Sequence, residues 1–170
     1  LFFSYSEISD FEPDTDRLML NGGYPRLYSE KTDPHFYYQN YAETYIERDL
    51  RQLISVRDIN AFRTFLKLCA GRAGSILNSE SLSNDTGVSA NTVRNWISIL
   101  ETSFILFRLP PFFENRGKRL IKSPKLYFYD NGLLCYLLGI ENAEQLETDR
   151  MRGPVFENLV ITEFIKSSYN

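Results

Sequence analysis

The chain has 170 residues, 43% of them hydrophobic and 24% charged, with a net charge of −3, room for one sizeable domain or two small ones sharing a core. No apolar run approaches the roughly 18 residues of a membrane span, and no basic leader with a small-residue cleavage site is visible. Cys69 and Cys135 lie far apart inside apolar runs, which argues against a disulfide framework and points to buried thiols in a reducing, cytoplasmic setting.

Residues 1–28 read as irregular, punctuated by Pro13, Gly22-Gly23 and Pro25. Asp33-Pro34 then looks like an N-cap followed by proline at the first helical position. Tyr37, Tyr41 and Tyr45 at four-residue spacing, followed by Leu50, Leu53 and Ile54, predict a long amphipathic helix to about residue 56. A second helix starts near residue 58 with Ile59, Phe62, Phe65, Leu66 and Cys69 on one face, ended by Gly71 and Gly74. A short helix over 78–84 and a turn at Asp85-Thr86-Gly87 lead to a helix capped by Ser89. Its apolar face holds Val93, Trp96, Ile97 and Leu100, and its opposite face Asn91, Arg94, Asn95 and Ser98. Two helices around a glycine-bearing turn, the second polar outside, predict a helix-turn-helix.

After Ser103 the pattern changes to a β-prone segment over 104–109, stopped by Pro110-Pro111, and a second aromatic strand over 126–129. The basic turn between them, Asn115-Arg116-Gly117-Lys118-Arg119, is that of a wing, on a ribbon longer and looser than a tight hairpin. The remainder is helical in pattern over 132–138, turns at Gly139, passes a short acidic segment, and resumes over 154–166. There Val155, Phe156, Leu159, Val160 and Phe164 predict one apolar stripe. The fold class expected is mainly α (α+β). Its parts are a helical segment (1–57), a winged helix-turn-helix (58–130) and a C-terminal helical segment (131–170). A start at Leu1 and an apolar pattern running into Ser167-Ser168-Tyr169-Asn170 lead us to expect that both ends are cut from a longer protein.

Charge is unevenly spread. Residues 1–50 carry four basic and ten acidic residues, whereas 108–125 carry six basic residues and one acid, a local balance of +5. Such a stretch in an acidic chain suits a localised anionic partner.

The ordered set Gly22-Gly23-Tyr24-Pro25, Tyr45-Ile46-Glu47-Arg48-Asp49, the helix-turn-helix and Leu109-Pro110-Pro111-Phe112 spans much of the chain. It continues through Lys118-Arg119, Lys122-Ser123-Pro124-Lys125, Asp130-Asn131-Gly132-Leu133 and Gly153-Pro154-Val155-Phe156-Glu157-Asn158. In this order the segments resemble the region that follows the ATPase domain in a large prokaryotic group of predicted AAA-type ATPases. Phe3-Ser4-Tyr5-Ser6-Glu7 resembles the tail of the ATPase domain itself. The resemblance implies a lid-like and winged-helix region beside a nucleotide-driven motor, with ATP and Mg held in that motor and its own ATPase domain as a partner. It also implies the start of a restriction-endonuclease-like domain, in which Glu157 matches the acid of the first helix. The metal-binding acid and catalytic lysine of such a fold would lie beyond Asn170.

The chain has no ATP loop of its own: Gly117-Lys118 is followed by Arg119 and preceded five positions earlier by Phe112, so the phosphate-cradling spacing is missing. One histidine, His35, and two isolated cysteines cannot build a tetrahedral zinc site or a Ser/His/Asp triad. No enzyme activity is expected of this segment, and Glu157 is read as a structural carboxylate. For nucleic acid, the candidate residues are Ser89, Asn91, Thr92, Arg94 and Asn95 at the start of the recognition helix. Arg116, Lys118, Arg119, Lys122 and Lys125 join them along the wing. With Arg94 the one basic residue among the first five, backbone contact with duplex DNA is expected over base readout. The competing reading is a winged helix that docks on its own ATPase or a partner subunit, its polar face merely solvated. The tyrosine-rich helix is read as a core or interface face, not a base-stacking platform.

Overall fold

A computed structural model describes residues 2–8, 12, 14–49, 59–112 and 123–167, with the side chains of residues 5, 6 and 46–49 excepted. The described chain is mainly helical with one two-stranded sheet, the class expected. Residues 1–28 depart from the irregular reading, because they hold helices α1 (Tyr5–Ile8), α2 (Thr15–Asn21) and α3 (Pro25–Glu30). These are too short for a 3.6-residue period to register in the sequence. Local chemistry makes them nonetheless. The Asp14 carboxylate accepts from the amides of Asp16 and Arg17, Pro25 opens α3, and Gly22 ends α2 at φ 68°.

Asp33 caps α4 (Pro34–Tyr41) by accepting from Phe36 N at 2.9 Å. The chain then continues as a π-helix, Ala42–Asp49, in place of a uniform α-helix. The remainder of the predicted helix, with Leu50, Leu53 and Ile54, lies outside the described residues. Tyr38 is buried, and Tyr24 packs against Tyr37, Tyr38 and Tyr41 at 5.0–5.9 Å between ring centroids. These tyrosines therefore face the core.

Helix α5 (Ile59–Ala70) buries Phe62, Phe65, Leu66 and Cys69. Trp96 of α7 (Ala90–Thr102) stands edge-on to Phe62 and Phe65. Between them α6 (Ser79–Thr86) is capped by Asn78, and Gly87 takes the left-handed conformation (φ 73°) that the turn requires. Ser89 then caps α7 by accepting from Thr92 N at 3.1 Å. At the far end of α7, Ile105 N–H bonds Leu100 O at 2.9 Å. Phe104 holds the left-handed position there (φ 55°), where glycine is favoured.

Strands β1 (Leu106–Leu109) and β2 (Lys125–Phe128) pair antiparallel, Leu106 opposite Phe128 and Leu109 opposite Lys125. Residues 74–77 run along the other edge of β2. Gly74 N–H bonds Leu126 O at 2.8 Å, Leu126 N–H bonds Ser75 O at 3.0 Å, and Ile76 bridges Lys125. Helices α8 (Asn131–Leu138), α9 (Ala143–Thr148) and α10 (Arg152–Ser167) follow. The apolar stripe expected on α10 divides. Val155 and Leu159 are buried, whereas Phe156, Val160 and Phe164 are 50%, 37% and 72% exposed.

Three of the ordered motifs meet in a buried polar hub. Asp130 caps α8 with Oδ1 accepting from Leu133 N at 2.8 Å, and its Oδ2 accepts from Gly23 N at 2.7 Å. Burial raises the Asp130 carboxyl above the ordinary range, against the lowering effect of the Gly23 amide, the Tyr38 hydroxyl and the Leu133 amide. Asn158 of α10 accepts from Phe128 N at 2.8 Å and donates to Phe128 O at 2.9 Å and Asn131 Oδ1 at 2.8 Å. Asn131 in turn donates to Val155 O at 2.8 Å. The hub ties the α2–α3 turn, β2, α8 and α10 together.

Candidate nucleic-acid interface

The glycine turn and the Ser89 cap orient α7 so that Val93, Trp96, Ile97 and Leu100 enter the core. Asn91, Arg94, Asn95 and Ser98 are left exposed on the opposite face. Ser89 is exposed, Thr92 half-buried, and their hydroxyls lie 2.8 Å apart. The five helix residues singled out from the sequence thus share one end of α7. Of the basic residues expected on a wing, Arg116, Lys118, Arg119 and Lys122 lie outside the described residues. Lys125 opens β2 and is exposed.

The acidic partners of this surface carry no local signal in the sequence. Arg94 faces Glu80 of α6 at 3.7 Å, and Arg72 pairs with Asp85. Arg108 bonds Glu101 through its backbone amide, Nε and Nη2 at 3.1, 2.8 and 2.5 Å. Lys125 Nζ donates to Glu157 Oε1 at 2.8 Å, and the Tyr127 hydroxyl donates to the same oxygen at 2.6 Å. Part of the +5 charge is therefore neutralised within the fold. The other basic residues of that stretch, Arg116, Lys118, Arg119 and Lys122, lie outside the described residues.

Hydrogen bonds from Lys125 and Tyr127 hold the Glu157 carboxyl below its ordinary range, and the same contact raises Lys125. A lowered carboxylate stabilises the fold above its unfolded value, and that contribution disappears as pH falls through the folded value. Glu157→Gln should flatten this acid-side slope in urea midpoints measured against pH. At neutral pH the change should stay within about 1 kcal/mol, since both partners are over 40% exposed. A slope equal to that of the parent chain would show that the pair adds nothing to stability.

His35 sits in the first turn of α4, edge-on to Tyr136 at 5.4 Å. Cys69 and Cys135 are free and buried. Among the described residues no three His, Cys, Asp or Glu side chains gather in a group that could hold a metal ion, and no helix is long and apolar enough to cross a membrane.

A family profile described as a domain of unknown function, DUF8612, matches residues 12–144. The chain belongs to this family. The DUF8612 match takes in α6, α7, the strand pair and Asp130, and ends within α9, before α10. Two curated relatives are each 32% identical over 150 residues, covering 87% of this chain and 34% of the relative. They are Uncharacterized protein Rv2008c of Mycobacterium tuberculosis and Uncharacterized protein Mb2031c of Mycobacterium bovis. The chain thus spans about a third of the length of the curated relatives it matches. No solved structure matches it.

Proposed function

We propose that this chain is an accessory region of a cytoplasmic AAA-type ATPase and binds duplex DNA through a winged helix, without hydrolysing ATP itself. The observation that carries the reading is the exposed polar end of α7, a helix followed in the chain by a strand pair whose connecting segment holds Arg116, Lys118, Arg119 and Lys122. Helix α5, the edge at 74–77, α6, α7, β1 and β2 follow one another in the order of a winged helix. Side chains at the start of such a helix can reach into a major groove, while wing cations lie along phosphates. The ion pairs of Arg94, Arg108 and Lys125 favour sequence-independent contact centred on the wing. The greater length of the relatives leaves room for a motor domain, which would hold ATP and Mg.

Charge reversal tests the reading. Lys118→Glu/Arg119→Glu should weaken binding of a labelled duplex by more than about tenfold at 50 mM salt, because two phosphate contacts become repulsive. Unchanged affinity would contradict it.

A second reading, a module that docks on its own ATPase or another protein, is favoured by the exposed Phe156, Val160 and Phe164 on α10. Capture of a separately expressed ATPase domain, insensitive to the same charge reversals, would decide for it. A nuclease role has less support, because the Glu157 carboxylate is already taken up by Lys125 and Tyr127. The reading expects no cleavage of duplex DNA in Mg²⁺ or Mn²⁺.

A further inference from the structure

Lys125 and Tyr127 lie two residues apart on β2 and so point to the same face of the strand. Their side chains converge on one oxygen, Glu157 Oε1, at 2.8 and 2.6 Å. Gly74 borders the carboxylate: a β-carbon at this left-handed position (φ 73°) would stand 3.6 Å from the Glu157 carboxyl carbon and both of its oxygens. One ammonium and one hydroxyl directed at a single anionic oxygen, beside a glycine backbone, is a donor set that suits a phosphate oxygen. Lys125 is 45% and Glu157 43% exposed, whereas Tyr127 is 1% exposed, so a ligand meets the ammonium first and the hydroxyl only after the carboxylate has turned away. An exposed ion pair is worth only about 0–1 kcal/mol, whereas each phosphate neutralised on a duplex also releases condensed counterions. A phosphodiester can therefore compete with the carboxylate.

We propose that Lys125 and Tyr127 form a phosphate clasp that Glu157 occupies internally, so that Glu157 holds down affinity for nucleic acid until a backbone phosphate displaces it. This rests on the duplex-binding reading above. Exchange needs only the Glu157 side chain to turn outward. The next residue, Asn158, keeps α10 fixed to β2 through both backbone groups of Phe128, so the helix does not have to move. Displacement leaves the Lys125 ammonium facing the phosphate, with the Glu157 carboxylate turned towards solvent.

The test compares the parent chain, Glu157→Ala, Lys125→Gln and the Glu157→Ala/Lys125→Gln double variant in duplex binding across a salt series, with Lys118→Glu/Arg119→Glu alongside. Glu157→Ala should bind about threefold or more tightly at 50 mM salt, with a log–log salt slope steeper by up to about 0.9, the value for one phosphate contact that the carboxylate obstructs in the parent chain. The double variant should lose both gains. Unchanged affinity in Glu157→Ala, or a gain that survives Lys125→Gln, overturns the clasp even where the parent chain binds DNA through Lys118 and Arg119. Should the parent chain bind no duplex, the DNA reading fails by itself, and millimolar inorganic phosphate becomes the probe. Shifts of the Lys125 and Tyr127 amide resonances in Glu157→Ala, absent from the double variant, would keep the clasp as a site for free phosphate. No shift would overturn it.

Discussion

Replacing Asn158 with alanine should destabilise the protein by about 4 kcal/mol. The side chain is fully buried and makes three hydrogen bonds, two of them to the N–H and C=O of Phe128 at the end of β2. Alanine would leave both backbone groups and Asn131 Oδ1 without this partner, and each buried orphan costs about 1–3 kcal/mol. The costs are not fully additive, which sets the total below their sum. Against a domain stability of about 5–15 kcal/mol, the urea midpoint should fall by about a quarter or more. Asn158→Asp should be comparably damaging, because a carboxylate cannot donate to Phe128 O or to Asn131. A shift below about 1 kcal/mol would mean that α10 is not held to β2 through this residue.

Gly132→Ala should cost about 3 kcal/mol for a steric reason. A β-carbon at Gly132 would stand 2.4–2.5 Å from Cε2, Cζ and the hydroxyl oxygen of Tyr38. The Tyr38 ring cannot easily yield, being buried and anchored by its hydroxyl to Asn21 O at 2.9 Å. Overpacking of a well-filled core typically costs about 1–3 kcal/mol, and here the obstruction is a ring in place of a flexible tip. Tyr38→Leu, itself destabilising, should make the second substitution milder. The double variant should then be more stable than the sum of the single losses predicts, by about 1 kcal/mol or more. Strict additivity in chemical denaturation would place the ring elsewhere.

These two sites show what a single sequence reveals and what it withholds. Caps and turns were legible because their chemistry is local: Asp33-Pro34, Ser89, Gly87 and Gly139 each act within four residues. The exposed face of α7 followed from helical period alone. Asp130-Asn131-Gly132 and Glu157-Asn158 stood out only as segments of a resemblance, since their partners are distant. Gly23 is 107 residues from Asp130, and Phe128 is 30 from Asn158. The same kind of separation hides the Lys125–Glu157 contact, so the stretch 108–125 reads as more basic than its described part is. The apolar spacing of α10 reads as one face, but helical period cannot separate residues covered by β2 and α8 from neighbours left open. The π-helical stretch Ala42–Asp49 likewise has no signature in apolar spacing.

The measurement that bears most directly on the account is the salt dependence of duplex binding by the purified chain, with Lys118→Glu/Arg119→Glu in parallel. Winged-helix binding through phosphates predicts micromolar or weaker affinity that falls steeply with salt, and a variant whose binding is lost or whose slope is shallower by about 2. Absence of binding at low salt, or an identical slope in the variant, would contradict it and favour α10 as the face that meets a partner.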